Sequence, residues 1–160
     1  SGRDTMSTAG IVVDEYNQTP QPLRPYVIYV DAIGIGAGVV DRLQELGMPV
    51  QGVNVGERPA QKDRFMRQRD ELWFRLGEWF ETQLPVIPEQ PDLIEELADI
   101  TYGYESSGKI KVESKGEFKK RLGKSPDLAD ALVLTMLWNA PELVSGFHNQ
   151  PIEVNTTWVV

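Results

Sequence analysis

A chain of 160 residues, 41% hydrophobic and 25% charged, has the size and composition of one globular domain with a real core. It has no cysteine and a single histidine, His148, which excludes disulfides and thiolate zinc sites and leaves metal chemistry to carboxylates, hence to hard ions. A formal net charge of -8 argues against a generally DNA-coating surface, and no apolar run reaches the roughly 18 residues of a membrane span.

Asp4 to about Asn17 reads as a helix capped by Asp4, with Met6, Ile11, Val12 and Tyr16 sharing one side. A proline-rich connector, Thr19 to Pro25, leads into a strand, Tyr26–Asp31, whose apolar run ends in a carboxylate. Gly34, Gly36 and Gly38 then open a short helix over roughly Ala37–Leu46, stopped by Gly47 with Pro49 beyond. Val50–Val55 reads as a second buried strand, so the unit is βαβ and its strands should be parallel. A long helix follows over about Ala60–Thr82, where Phe65, Leu72, Trp73, Leu76, Trp79 and Phe80 approximate a 3.6-residue period.

Pro91 suits the first turn of a short helix, Asp92–Ala98. Ile100–Glu105 and Lys109–Glu113 read as a β-hairpin turning at Ser106–Gly108, and Glu117–Leu122 as one or two helical turns. Ser125 as N-cap and Pro126 at the first helical position open a last helix reaching about Trp138. The chain divides into a domain over residues 1–140 and a C-terminal tail over 141–160.

Two constellations carry chemistry. Gly34-x-Gly36-x-Gly38 follows a strand, but it fails the dinucleotide spacing, lacks an acid after the next strand, and has no P-loop Lys-Ser/Thr. A tight turn with close strand–helix packing accounts for it. The second constellation is acidic. Asp31 ends an apolar strand, where a charge is costly unless paired or metal-bound. Asp127 and Asp130 share one face at the start of the last helix. Asp127 has a structural explanation as a complement to the helix dipole; Asp130 interrupts an apolar run and has less of one. Beside them, residues 109–124 hold seven bases against two acids, which suits either a solvated face or a phosphate backbone.

The strings VDAIGIGAGVVDRLQELG and KGEFKKRLGKSPDLADAL, with the Arg/Trp-rich helix between them, resemble the C-terminal nuclease domain of the large terminase subunit of tailed bacteriophages and prophages. The similarity spans roughly Asp4 to Leu137. It implies an α/β, RNase H-like nuclease fold and a metal-dependent DNA endonuclease that cuts concatemeric viral DNA during packaging, in the cytoplasm of an infected or lysogenic bacterium. Asp31, Asp127 and Asp130 fall on the family's catalytic and metal-binding acids, which hold two Mg2+ or Mn2+ ions. Lys115, Lys119, Lys120 and Arg121 fall on bases near the path of double-stranded DNA, and Arg58 and Arg64 are further candidates. The implied partners are the portal and the small terminase subunit.

The resemblance begins at the helix after the family's opening antiparallel strands. The first catalytic acid, the central strand and the ATPase domain are therefore expected to lie outside this chain. The isolated chain is expected to be inactive or nearly so, and to self-associate through an unpaired sheet edge. Two other readings stay open: another RNase H-like nuclease or resolvase, and a non-catalytic docking module for packaging proteins.

Overall fold

The computed structural model describes residues 4–137, a mixed α/β arrangement of six α-helices and two small two-stranded sheets. Helix α1, Thr5–Gln18, starts where Asp4 accepts the Ser7 backbone N–H at 2.7 Å. Its inner face is Ala9, Val12 and Val13, packed with Val39 and Leu43, whereas Met6 is exposed rather than inward. The displacement from the expected face follows from the crossing with the next helix. Gly38 has no Cβ, and one built there would lie 3.1 Å from the Thr5 methyl, so the two helices meet at Thr5.

Strand β1, Ile28–Asp31, helix α2, Ile35–Glu45, and strand β2, Val50–Val53, form the expected βαβ unit with parallel strands. The register sets Ile28 beside Val50 and Asp31 beside Val53. β2 is shorter than expected because the chain turns at Asn54, whose side chain accepts the Gly56 N–H at 3.1 Å.

The long helix begins at Gln68, not near Ala60: α3 spans Gln68–Gln83. Residues 55–67 instead wrap its N-terminus and satisfy amides that a helix start leaves open. Gln68 N donates to Glu57 O at 2.9 Å and Arg69 N to Val55 O at 3.0 Å. The buried Glu71 carboxylate accepts from Ala60 N at 2.6 Å and Gln61 N at 3.2 Å. Phe65 mimics helical periodicity in sequence but is buried as an extended residue, bridged in parallel to Ile110.

Helix α4, Pro91–Asp99, has its proline in the first turn, and strands β3, Tyr102–Tyr104, and β4, Ile110–Val112, form the antiparallel hairpin. Gly108 takes a φ of +76° in its turn, a region that favours glycine. Helix α5, Lys115–Leu122, is capped by Ser114 and Glu117 reciprocally. Helix α6, Asp127–Leu134, lacks the expected Ser125 cap; Pro126 stands at its N-cap position with no side-chain hydrogen bond. The buried Glu96 of α4 does that work from a distance, accepting the Ala129 N–H at 2.9 Å. The last helix is shorter than expected, giving way to a 3-10 turn at Thr135–Leu137, while Trp138 and the 141–160 tail lie outside the described residues.

Two apolar clusters result. One joins α1, α2 and the parallel strands through Ala9, Val39 and Leu43. The other joins α3, α4, β4 and α6 through Leu72, Trp73, Leu76, Leu93, Val112, Ala129 and Val133. Helix α6 also packs against β1, so it spans the seam between them.

Candidate functional site

The acids fall on that seam. Asp31, the last residue of β1, is half-buried, and its Oδ1 accepts the Ile33 N–H at 3.1 Å, closing a short turn. This leaves Oδ2 outside that hydrogen bond. Gly34 follows with a φ of +68°, and a Cβ on Gly36 would sit 1.7 Å from the Asp31 carbonyl oxygen. The first turn of α2 thus lies directly against the strand end. The glycines serve this close approach, in agreement with the packing explanation of their spacing.

Asp130 is more tightly held. Its Oδ1 accepts from Arg69 Nη2 at 2.9 Å, Arg69 Nε at 3.2 Å and Trp73 Nε1 at 3.3 Å. Both members of the Arg69–Asp130 pair are 12% exposed, and the guanidinium also lies 5.7 Å from the Trp73 ring centroid. Its Oδ2 is buried and has no hydrogen-bond partner among the described residues, although Lys115 Nζ lies 3.5 Å from it. Lys115 also stands 3.7 Å from the exposed Asp127 carboxylate. One oxygen of Asp130 is saturated by three donors while the other is orphaned, an asymmetry that buried carboxylates ordinarily avoid.

Arg69 carries the constellation further, donating from Nη1 to the Glu113 carbonyl at 2.7 Å. The Glu113 carboxylate accepts from Arg121 Nε at 3.0 Å and Nη2 at 2.7 Å, and Arg121 Nη2 also reaches the Asp99 carbonyl at 2.6 Å. The Arg121 hydrogen bonds hold the Glu113 carboxyl below its ordinary value of 4.5. Arg121 is therefore committed to tying α5 to α4 and the hairpin exit, which offsets its charge toward other ligands. Lys119 and Lys120 are exposed on α5, and Arg64 lies over the rings of Phe65 and Phe74 at 4.9 and 5.6 Å. Arg58 is exposed on the loop before α3.

The structure thus brings Asp127, Asp130 and Lys115 together and places Asp31 on the strand against which their helix packs. Among the described residues no three Asp, Glu or His side chains are grouped closely enough to enclose an ion. Sequence reasoning missed Arg69, Trp73 and Glu96. Arg69 and Trp73 sit one turn apart at the start of a helix, a spacing that would align them toward one partner. Glu96 gives no local signal, because its cap is made across the fold.

The chain has the fold of the nuclease domain of the large terminase subunit of bacterial virus Sf6. A single-site mutant of that domain, solved with manganese and beta-thujaplicinol, superposes with a TM-score of 0.61 at 21% identity, over 85% of this chain and 71% of that one. A form with calcium gives 0.60 at 22%, over 86% and 71%, and the domain without the mutation gives 0.61 at 20%, over 85% and 71%. No protein-family model matches the sequence, and no curated protein matches it. No helix among the described residues is long and apolar enough to cross a membrane.

Proposed function

We propose that this chain is nuclease-domain material of a phage-type large terminase subunit, with an RNase H-like fold and a metal-dependent endonuclease activity on concatemeric double-stranded DNA during genome packaging. The observation that carries the reading is the orphaned, buried Oδ2 of Asp130 on a helix packed against the strand that ends in Asp31. Such an oxygen fits a hard cation, and the donors available are carboxylate oxygens of the kind Mg2+ or Mn2+ prefers. Asp31 and Asp130, with Asp127 beside them, would hold the ion; water and phosphate oxygens would complete a shell that three close side chains do not. Divalent ions bound in this way activate water and stabilise the leaving oxygen in phosphodiester hydrolysis.

The protein's own contributions are positional. Arg69 and the Trp73 N–H fix the Asp130 carboxylate through Oδ1, which keeps Oδ2 aimed away from them. Lys115 neutralises the acids and, with Lys119 and Lys120, offers positive charge to a DNA backbone. Arg121 supports α5, which carries those lysines. The parent protein would work in the cytoplasm of the bacterial host with the portal and small terminase subunit as partners.

Calorimetric titration with Mn2+ tests the reading. Millimolar binding that disappears in both Asp31→Asn and Asp130→Asn is expected, with little or no nicking of supercoiled plasmid by this chain alone. Absence of any Asp31-dependent binding would favour the docking-module reading; efficient cleavage abolished by Asp31→Ala would overturn the expected inactivity.

A further inference from the structure

Among the described residues Arg42, Arg69, Arg75, Lys111, Lys115, Arg121 and Lys124 each pair with a carboxylate. Arg58, Lys62 and Lys109 are among the cations that pair with none, and these three line one cleft of about 290 Å³. Its remaining lining is Pro59, Phe65 and Met66. Glu57 and Asp63 are neighbours in sequence but line no part of it. Holding three like charges around a concavity is unfavourable until an anion enters it.

The cleft is built by defined contacts. The turn bearing Arg58 and Lys62 is pinned by buried Glu71 through the Ala60 and Gln61 amides, and Arg75 fixes Glu71 at 2.8 Å. The opposite wall is stitched on by Ile110 N to Arg64 O at 2.8 Å and Met66 N to Ile110 O at 3.1 Å, which brings the adjacent Lys109 alongside. From these contacts we infer that Arg58, Lys62 and Lys109 form a phosphate-binding cleft that holds the backbone of a nucleic acid, with the sugar resting on the exposed Met66.

Phosphate recognition follows from the three cations that share the cleft; naming the ligand as DNA rests on the nuclease reading. The covalent path supports that choice. Val53 pairs with Asp31 at a strand spacing of about 4.8 Å, and Arg58 is five residues after Val53, so the Asp31 and Arg58 Cα atoms are at most about 23 Å apart. That reach is about seven nucleotide steps at 3.4 Å each. A strand seated in the cleft can extend to the acids.

Fluorescence anisotropy with a labelled 20-bp duplex, in EDTA and at 50–200 mM salt, tests the cleft. Combined Arg58→Ala, Lys62→Ala and Lys109→Ala should weaken binding at least tenfold at 100 mM salt. The log–log salt slope should become shallower by about 2–3, at about 0.9 per phosphate contact. Arg42→Ala, whose cation is paired, should change neither, and all variants should keep the parent thermal melt. An unchanged slope in the triple variant, or no duplex binding by the parent chain, overturns the proposal. Inorganic phosphate, followed by NMR at the three side chains, forms a second arm. Displacement only at tens of millimolar supports a nucleic-acid backbone, whereas sub-millimolar saturation that excludes duplex overturns it in favour of free phosphate. Asp31→Asn should retain the slope, and failed Mn2+ binding by the parent chain with intact duplex binding sinks the nuclease reading and leaves the cleft standing.

Discussion

At the scale of single residues, the charge around Asp130 is set by competition. Arg69 is bound through two nitrogens and its removal would strand a buried carboxylate, but Lys115 is half-exposed and touches the acids only at 3.5 and 3.7 Å. Any cation entering beside Oδ2 must displace that ammonium. Lys115→Ala should therefore tighten Mn2+ binding severalfold while weakening duplex binding, a split that calorimetry and anisotropy read separately; losses in both would mean that Lys115 only supports the fold. Asp70 poses the opposite case, a carboxylate used wholly inside the protein. It accepts from Val112 N and Arg67 N at 2.9 Å each, and burial is the main cause that raises its pKa above the ordinary 3.8. Asp70→Ala leaves the buried Val112 amide without a partner and should cost about 3 kcal/mol. A raised carboxyl binds its proton more tightly when folded, so its contribution is complete below pH 3.8 and lost as pH rises through the folded value. The deficit of the variant, measured by urea unfolding, should accordingly grow as pH falls from 7 towards 4.

At the scale of elements, the glycine-rich exit from β1 is the least tolerant point. A Cβ on Gly36 would lie 1.7 Å from backbone, where no side-chain movement can relieve it. Gly36→Ala should therefore destabilise by about 3 kcal/mol or more, whereas Gly77→Ala, with open space around it inside α3, should be neutral or stabilising in thermal melts. Comparable losses at both positions would refute the close-approach account. This junction was legible from sequence, since strand, glycines and helix are local signals and the parallel pairing follows from their order. The start of α3 was not. Phe65 falls on the helical period, but its partner Ile110 and the buried cap from Glu71 to Ala60 depend on tertiary contacts that no window of sequence displays. The candidate site divides in the same way. Asp31 and Asp130 stand out as charges ending or interrupting apolar runs, while Arg69, Trp73 and Glu96 matter only because the fold brings α3 and α4 to α6.

At the scale of the whole molecule, the acids lie where the two apolar clusters meet through α6 and β1. Among the described residues β1 pairs only with β2, which leaves its other edge as a template for a further strand. Concentration-dependent association should appear in sedimentation, and Tyr29→Lys should suppress it. The seam also makes ion binding and folding one equilibrium. An ion held between Asp31 on one side and Asp130 on the other binds only when both clusters are docked, so it stabilises the folded chain by RT ln(1 + [L]/Kd). At tenfold excess over Kd this is about 1.4 kcal/mol, or a melting-temperature rise of about 3–6 °C for a chain of this size. Calcium should produce the rise as manganese does, because it arises from carboxylate ligation and needs no turnover. Asp31→Asn and Asp130→Asn should each remove it, the first with little change in the metal-free melt and the second with a lower one, since only Asp130 also partners Arg69 and Trp73. A rise that survives both substitutions would place the ion elsewhere and separate the seam from the chemistry.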